Sequence, residues 1–389
     1  MKRLFLIFFT ICTNIFLFAA EEMPIIAYMG VPYDKTTDQN FKNFRDCGFN
    51  VSLYIYANLE QMVGACNMAH KYGVKILGHC QETHNAPEKA AAVLKDNPGF
   101  FGYVLQDEPS AAEIKERQKE ITRLRKVDDK HCFYINLHPY YDEWTLRYTK
   151  TKTYEEYLDA AASTSCRQMS FDYYPITKDG LREGWYNNLE MIRKKSLEKR
   201  IPFWGFVLSV PHGAYPTPTM GALRLQVYSN LAYGAQAIQY FTYWTPLPEK
   251  VNNYHDGPVD HNGNKTKTYR LVQQMNQELK SISPLFLGAK VFSVGHLGVI
   301  PEGTKKQTTM PENLKSLKII GNKGAVISQF EKDSHTYLAI VNKNYEKTAQ
   351  VIIEADNKTL RHITKKLQEE EIKKYYTLQA GDILIFKLK

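Results

Sequence analysis

Apolar and polar positions follow two alternating periods from residue 24 to about residue 246. Short, nearly continuous apolar runs, typical of strands covered on both faces, alternate with stretches whose apolar residues recur every three or four positions, typical of helices. The predicted strands are Ile25–Val31, Val51–Tyr56, Val74–His79, Phe100–Gln106, His131–Leu137, Gln168–Tyr173, Phe203–Ser209 and Ala237–Tyr243. The predicted helices include Leu59–Tyr72, Ala111–Val127, Tyr154–Ser163, Trp185–Glu198, Gly221–Tyr233 and Tyr269–Leu279. Eight such units over about 250 residues predict a (β/α)8 TIM barrel.

An open, doubly wound α/β sheet is the alternative fold for this alternation. Such sheets bind nucleotides through a glycine-rich loop after the first strand. No loop of that kind follows Ile25–Val31. The pattern therefore favours the closed barrel.

Beyond Pro284 the pattern changes to short strands separated by turns. The predicted strands there are Val291–Val294, Leu317–Ile320, Ala325–Phe330, Thr336–Val341, Ala349–Ile353 and Ile383–Leu388. Short strands at this spacing predict a small antiparallel β-sandwich. The expected organisation is a leader at residues 1–20, a barrel domain at 21–285 and a C-terminal all-β sandwich domain at 286–389.

Residues 1–20 differ in composition from both predicted domains. Lys2 and Arg3 precede an apolar run, and the small residues Ala19 and Ala20 precede Glu21. This order predicts a cleavable signal peptide, and hence a secreted or periplasmic protein without stable membrane insertion after cleavage. An uncleaved membrane anchor is the alternative, which the short apolar core disfavours.

Composition and charge constrain the partners. Hydrophobic residues make up 43% and charged residues 23% of the chain, as in ordinary globular proteins. The net charge of +9 comes largely from scattered lysines, which indicates a solvated basic surface; an acidic polysaccharide partner is the alternative. No nucleic-acid-binding motif occurs, so we expect no nucleic acid partner.

The cysteines do not form a recognisable disulfide framework. Five of the six lie outside the leader, none belongs to a CxxC pair, and an odd number cannot be fully bridged. We expect buried free thiols, with a Cys47–Cys80 bridge left open.

The fourth predicted strand carries the most informative motif. It ends in two adjacent carboxylates, Asp107 and Glu108, before Pro109, which disfavours helical angles at Glu108 and predicts an extended conformation there. Ser110 is the expected N-cap of the next helix. Active sites of parallel barrels lie at the carboxyl ends of the strands, so Glu108 is expected to face a cleft.

Aromatic and polar residues are unusually frequent at the other strand ends. Aromatic rings stack on the apolar faces of sugar rings. Any single tyrosine is more readily explained as a core residue, so the prediction depends on the cluster of aromatic residues and not on one ring. The residues proposed to line a sugar subsite are His79, His138, Tyr140, Tyr174, Tyr243 and Trp244.

The sequence Gly-Tyr-x-x-x-Asp-Glu-Pro at residues 102–109 resembles the fourth-strand motif of the large retaining clan of barrel glycoside hydrolases, which includes the β-galactosidase-like and family 42-like enzymes. The aromatic eighth strand and the C-terminal β-rich segment are similar to secreted sugar-cleaving enzymes. The resemblance implies a glycosidase, a hydrolase acting on O-glycosyl bonds, with Glu108 as general acid/base and no cofactor. Asp107 stands where the family usually has Asn.

The chain departs from that family at strand seven. The clan has its nucleophilic Glu there, but no Asp or Glu occurs between Glu198 and Glu249. Asp172, at the end of strand six, is the best-placed second carboxylate, with Asp107 the third candidate. Three alternatives stay open: an inverting pair of Glu108 and Asp172, a retaining mechanism in which Asp107 or Asp172 attacks, and a barrel that binds glycan without catalysis.

A metal-dependent barrel hydrolase or isomerase is a further alternative. His79, His84, His138 and His212 are potential ligands at predicted strand ends. No His-x-His pair follows the first strand and no HExxH helix occurs, so we expect no metal. A serine hydrolase is not supported, because no GxSxG elbow is present.

Overall fold

The computed structural model describes residues 22–311, 313–355 and 360–388. The predicted leader lies outside these residues. Eight parallel strands close into a barrel, which confirms the predicted fold class, and Ile25 of the first strand pairs with Ile238 of the last. The strands are β1 (Ile25–Tyr28), β2 (Val51–Ile55), β3 (Lys75–His79), β4 (Phe100–Asp107), β5 (Cys132–Leu137), β6 (Met169–Phe171), β7 (Phe203–Leu208) and β8 (Ala237–Phe241).

Helices surround the barrel, and most begin at a polar cap. Ser110 accepts from the backbone N–H of Glu113 while the Glu113 side chain accepts from Ser110, so the predicted cap forms a complete capping box. The helices are α1 (Asp38–Asp46), α2 (Leu59–His70), α3 (Gln81–Asn85), α4 (Pro87–Leu94), α5 (Ala111–Arg125), α6 (Glu143–Thr149), α7 (Tyr154–Ala162), α8 (Trp185–Lys199), α9 (Met220–Tyr233) and α10 (Lys267–Phe286). A 3₁₀ turn occupies Tyr33–Lys35, and a short hairpin follows β6 at Ile176–Thr177 and Gly180–Leu181.

The C-terminal residues form two antiparallel sheets, as predicted. Their strands are β9 (Lys290–Gly298), β10 (Leu314–Ile320), β11 (Gly324–Lys332), β12 (His335–Asn342), β13 (Ala349–Ala355), β14 (Arg361–Ile363), β15 (Glu369–Glu370), β16 (Tyr375–Leu378) and β17 (Ile383–Lys387). One sheet has the order β9-β11-β12-β17-β14-β15 and the other the order β10-β13-β16. Leu317, Ile327, Ile340 and Val351 belong to the apolar core that they share.

The β-sheets pack against helix α9 of the barrel. This helix is buried on nearly all sides. Two hydrogen bonds join it to the sheets: the Ser328 hydroxyl of β11 donates to the Ala232 carbonyl, and the Tyr233 hydroxyl is hydrogen-bonded to the His296 ring of β9. Helix α10 continues through Pro284 to Phe286, further than its predicted end. The division at residue 285 stays a prediction.

The described cysteines and helices bear on two further expectations. Cys47, Cys66, Cys80, Cys132 and Cys166 are all buried and free, so the Cys47–Cys80 bridge is not formed. Among the residues that the structure describes, no helix combines the length and apolar character needed to cross a membrane.

Glu278 should anchor the β-sheets to the barrel. It accepts hydrogen bonds from Arg224 at 3.0 Å, Tyr228 at 2.7 Å and Lys365 at 2.7 Å. Burial raises the pKa of Glu278, but the bonds from Arg224 and Lys365 outweigh it and hold the pKa at about 2. Glu278→Ala should lower the free energy of unfolding by about 2 kcal/mol at neutral pH. The difference from wild type, measured by urea unfolding, should shrink as pH falls from 4.5 towards 2. Glu116→Ala, which breaks an exposed pair with Lys119, is the matched control and should change it far less.

Candidate active site

Three carboxylates meet at the carboxyl ends of β4 and β6. Asp107 is the last residue of β4, Glu108 follows it, and Asp172 follows β6. Asn136 of β5 lies between the two strands and donates to Asp107 Oδ1 at 3.0 Å and to Asp172 Oδ1 at 2.9 Å. Two oxygens that share one donor in this way lie less than about 6 Å apart, so Asp107 and Asp172 belong to one group of carboxylates.

A buried polar chain fixes the orientation of Asn136. The Ser170 hydroxyl of β6 donates to Asn136 Oδ1 at 2.8 Å, and the Gln239 amide of β8 donates to the Ser170 oxygen at 2.7 Å. All three side chains are buried. Because its carbonyl oxygen accepts the hydrogen bond from Ser170, the Asn136 side chain directs its N–H₂ group towards the carboxylates.

The backbone at Glu108 corrects a prediction. Its φ is +44°, in the left-handed region, and not the extended conformation expected before Pro109. Hydrogen bonds on both sides hold this conformation: its N–H donates to the Asn136 carbonyl at 2.9 Å, and its carbonyl accepts from the Tyr148 hydroxyl at 3.0 Å. Non-glycine residues with positive φ cost of order 1 kcal/mol or more and cluster at functional sites. The turn lets the carboxylates of Asp107 and Glu108 both act on the same cleft.

The electrostatics of the three carboxyl groups differ. Burial, followed by the charges of Asp172 and Asp107, raises the pKa of Glu108 to about 8. Burial and the charge of Asp107 raise the pKa of Asp172 to about 7. Burial also raises the pKa of Asp107, but hydrogen bonds from Asn136 and Tyr28 oppose that rise. Glu108 is therefore the group that keeps a proton at neutral pH, and Asp107 the one best stabilised as an anion.

Aromatic residues form the floor of the cleft around the carboxylates. Tyr28 donates to Asp107 and Tyr174 donates to Asp172. Both tyrosine rings contact Phe206 of β7 with centroids 6.3 Å apart, and both contact Phe241 of β8 at 5.7 Å. Strand β7 thus contributes a phenyl ring to the floor, and the described chain provides no carboxylate from this strand.

A second aromatic group stands beside Glu108, which we call the aromatic shelf: Tyr141, Trp144 and Tyr148. Trp144 and Tyr148 stack with ring centroids 5.3 Å apart on one face of α6. His138 is buried beneath the shelf, with ring contacts to all three residues. Burial lowers the pKa of His138, and its Nδ1 lies 2.7 Å from the Pro139 carbonyl, so Nδ1 carries the proton. The shelf residues are 40–49% exposed, which makes them available to a ligand.

The structure does not bring the other proposed sugar-binding residues to the carboxylates. Tyr243 is 1% exposed and packs against Phe44 and Phe49 outside the barrel. Trp244 is buried under the loop at Gly263. The Tyr140 backbone is held by Asn188, and its ring packs on Tyr154.

His79 lies in a separate depression. It lines a cavity of about 570 Å³ together with His84 and Arg117. A larger cavity of about 1130 Å³ lies between the hairpin after β6 and the C-terminal sheets, and none of the three carboxylates lines it. Among the described residues, no cluster of three or more His, Cys, Asp or Glu side chains is arranged to hold a metal ion.

Four residues of the site were not predicted from the sequence: Tyr28, Asn136, Trp144 and Tyr148. Asn136 did carry a signal, because it is a polar residue within an apolar strand, as are Ser170 and Gln239 in theirs. Trp144 and Tyr148 lie in the short helix α6, which was not among the predicted helices.

Comparison with known proteins supports the family resemblance. The family model for glycoside hydrolase family 42, described as beta-galactosidase, matches residues 116–282. The match begins after Glu108, so it does not bear on the assignment of that residue. No curated protein sequence matches the chain.

Three solved structures illustrate the likeness in fold. The beta-galactosidase from Bacillus circulans sp. alkalophilus has 9% identity and a TM-score of 0.62, with 95% of this chain and 99% of that chain covered. A catalytic mutant of a family 42 beta-galactosidase from G. stearothermophilus has 9% identity and a TM-score of 0.60, with 95% and 98% covered. The beta-galactosidase from Halorubrum lacusprofundi has 13% identity and a TM-score of 0.52, with 67% of this chain and 58% of that chain covered, so this chain spans little more than half its length.

These matches confirm the predicted resemblance to barrel glycoside hydrolases. The family model together with the barrel supports a glycosidase that acts on O-glycosyl bonds, and hence a carbohydrate substrate.

Proposed function

We propose that this barrel, with its match to glycoside hydrolase family 42, is a glycosidase in which Glu108 protonates the leaving-group oxygen and Asp172 is the second catalytic carboxylate. The observation that carries the proposal is the convergence of Glu108, Asp107 and Asp172 on one cleft, with Glu108 protonated at neutral pH. Release of product from a panel of aryl glycosides and oligosaccharides tests it.

The geometry leaves two routes for the second step. In the inverting route Asp172 removes a proton from water as the water attacks the anomeric carbon. In the retaining route a carboxylate attacks that carbon, and water then hydrolyses the glycosyl–enzyme bond with Glu108 acting as base. Asn136 donates to both Asp107 and Asp172, so it can orient either aspartate as the second carboxylate in both routes. The anomer released first, followed by NMR, distinguishes the two routes.

The pH dependence should be a narrow bell. Asp172 must lose its proton to act, so kcat/KM should rise as pH increases through about 7. Glu108 must keep its proton, so kcat/KM should fall as pH increases through about 8. A glycosyl fluoride needs little protonation of its leaving group, so its alkaline limb should be weaker. A profile flat from pH 5 to 9 on a poor leaving group would contradict the assignment.

Asn136→Ala should raise the pH of the acidic limb. The variant removes a donor that stabilises the ionised form of Asp107 and Asp172, so their pKa values should increase. A hydrogen bond to a charged group contributes about 1.5–3 kcal/mol, which corresponds to roughly a 10- to 100-fold loss in kcat/KM at pH 7. Asn188→Ala is the control for lost packing, because it truncates another buried asparagine, which accepts from the Tyr140 backbone N–H and does not contact the carboxylates. It should leave the pH of the acidic limb unchanged.

A glycan-binding barrel without turnover is the second candidate. The observation that favours it is the absence of Asp and Glu from β7, the strand on which the resembling clan has its nucleophile. Its signature would be a glycan that raises Tm with no product under conditions where all three carboxylates are intact.

The proposal includes export from the cytoplasm, because of the composition of residues 1–20. Fractionation of expressing cells, with mass spectrometry of the mature N-terminus, tests this. A retained N-terminus in the cytoplasmic fraction would contradict it.

A further inference from the structure

Arg182 holds an unusual position beside the cleft. It directly follows the short hairpin after β6, and its backbone N–H donates to the Pro175 carbonyl at 2.7 Å. Its guanidinium carbon lies 5.3 Å from the ring centroid of Tyr141 and 5.3 Å from that of Tyr215. Two aromatic faces therefore hold the guanidinium group, while its N–H donors lie in the guanidinium plane.

No carboxylate forms an ion pair with Arg182 in the part of the chain that the structure describes. Three other arginines of low exposure do have such partners: Arg117 pairs with Glu120, Arg193 with Glu190 and Arg224 with Glu278. Arg125 has no carboxylate partner either, but it lies over the Phe133 ring and donates to the Ser165 carbonyl, away from the three carboxylates. Arg182 is likewise partly buried. Desolvation of a charged group is unfavourable unless an opposite charge compensates it. The Tyr215 hydroxyl accepts one hydrogen bond from Arg182, but no anion compensates its charge among the described residues.

The two tyrosines connect Arg182 to the catalytic cleft. The Tyr215 ring lies 5.9 Å from that of Tyr174, which donates to Asp172. Burial raises the pKa of Tyr141 and Tyr215, and the charge of Asp172 contributes to both shifts. The rings of Tyr215 and Tyr174 thus separate Arg182 from Asp172, which places Arg182 beside the cleft without an ion pair to Asp172.

We propose that Arg182 is an anion-recognition residue and that the sugar bound in this cleft carries a carboxylate or a sulfate ester. The inference rests on the proposed function for the position of that sugar. A guanidinium group binds either anion through two parallel hydrogen bonds. The net charge of +9 agrees with an acidic substrate, because it favours the approach of anionic chains.

Binding to the full chain with Glu108→Gln tests the inference without turnover. The probes are galacturonate, galactose 6-sulfate and neutral galactose, measured by calorimetry at two salt concentrations. At least one anionic sugar should bind about 10- to 100-fold more tightly than galactose. The sugar that binds tells whether the anion is a carboxylate or a sulfate. High salt should weaken the binding.

Variants of Arg182 locate the effect. Arg182→Gln should remove the preference for the anionic sugar, and Arg182→Lys should retain part of it, because it keeps the charge but loses the planar fork. Arg270→Gln, which removes an exposed charge from α10, is the matched control and should keep the preference. If Arg182→Gln does not fold, the remaining tests are Arg182→Lys and the salt dependence of anionic-sugar binding by the chain that keeps Arg182.

Three results would overturn the inference. They are equal or tighter binding of galactose, an anionic preference that survives in Arg182→Gln, and binding of neither anionic sugar. Loss of the preference in Arg182→Gln without cleavage of any glycoside by the wild type would keep the anion subsite and refute the glycosidase.

Discussion

Glu108→Gln should lower kcat/KM about 10²- to 10⁴-fold on glycosides with poor leaving groups. The amide keeps the size of the carboxyl group but cannot give up a proton to the leaving oxygen. The loss should be smallest for a glycosyl fluoride, whose leaving group needs little protonation. Initial rates on a series of aryl glycosides of increasing leaving-group pKa measure this dependence.

The same substitution should not destabilise the fold. Glu108 is a partly buried carboxyl group beside two others, and its pKa of about 8 shows that its charged form is disfavoured there. The Tm of Glu108→Gln should therefore equal or exceed that of the wild type. Glu116→Gln, on the exposed face of α5, is the control and should change neither rate nor Tm. Unchanged turnover in Glu108→Gln would refute its role.

Most of the barrel could be predicted because its signals are local. The eight apolar runs gave the strands within a few residues, and Ser110 with Glu113 gave the start of α5. The left-handed backbone of Glu108 could not be predicted in the same way. It depends on hydrogen bonds from Tyr148 and to Asn136, which are distant in sequence, and these outweigh the local preference before Pro109.

The candidate site was predicted in part for the same reason. The strand-end rule gave Asp107, Glu108 and Asp172, because each follows a recognisable strand. The same rule predicted Tyr243 and Trp244 as sugar-binding residues, but the structure buries both side chains away from the carboxylates. An aromatic residue after a strand has the same local pattern whether its ring faces the cleft or the outer helices, so only the tertiary arrangement separates the two cases.

The proposed second carboxylate follows strand six, because strand seven offers none. Phe206 of β7 lies on the floor of the cleft beside Tyr28 and Tyr174. Asn136 instead joins the ends of β4 and β6, and Ser170 and Gln239 extend this polar chain across to β8. These hydrogen bonds fix the orientation of Asn136, which in turn orients Asp107 and Asp172 by donating to both.

Asp172→Asn should therefore be as damaging as Glu108→Gln, with a loss of about 10²- to 10⁴-fold in kcat/KM, while Asp107→Asn should lose less. Asp172 is the group whose pKa of about 7 lets it exist as a base near neutral pH beside a protonated Glu108. Asp107 already receives hydrogen bonds from Tyr28 and Asn136, which lower its basicity.

Azide added to each variant separates the roles of the two aspartates. If Asp172 is the nucleophile, azide should restore turnover in Asp172→Asn and give a glycosyl azide of inverted configuration. If Asp172 is a base for water, azide gives the same inverted product in Asp172→Asn. The sugar that the wild type releases then separates the two roles, because its configuration is retained for a nucleophile and inverted for a base. A dead Asp107→Asn with an active Asp172→Asn would contradict the assignment. It would place the nucleophile at Asp107, the last residue of β4.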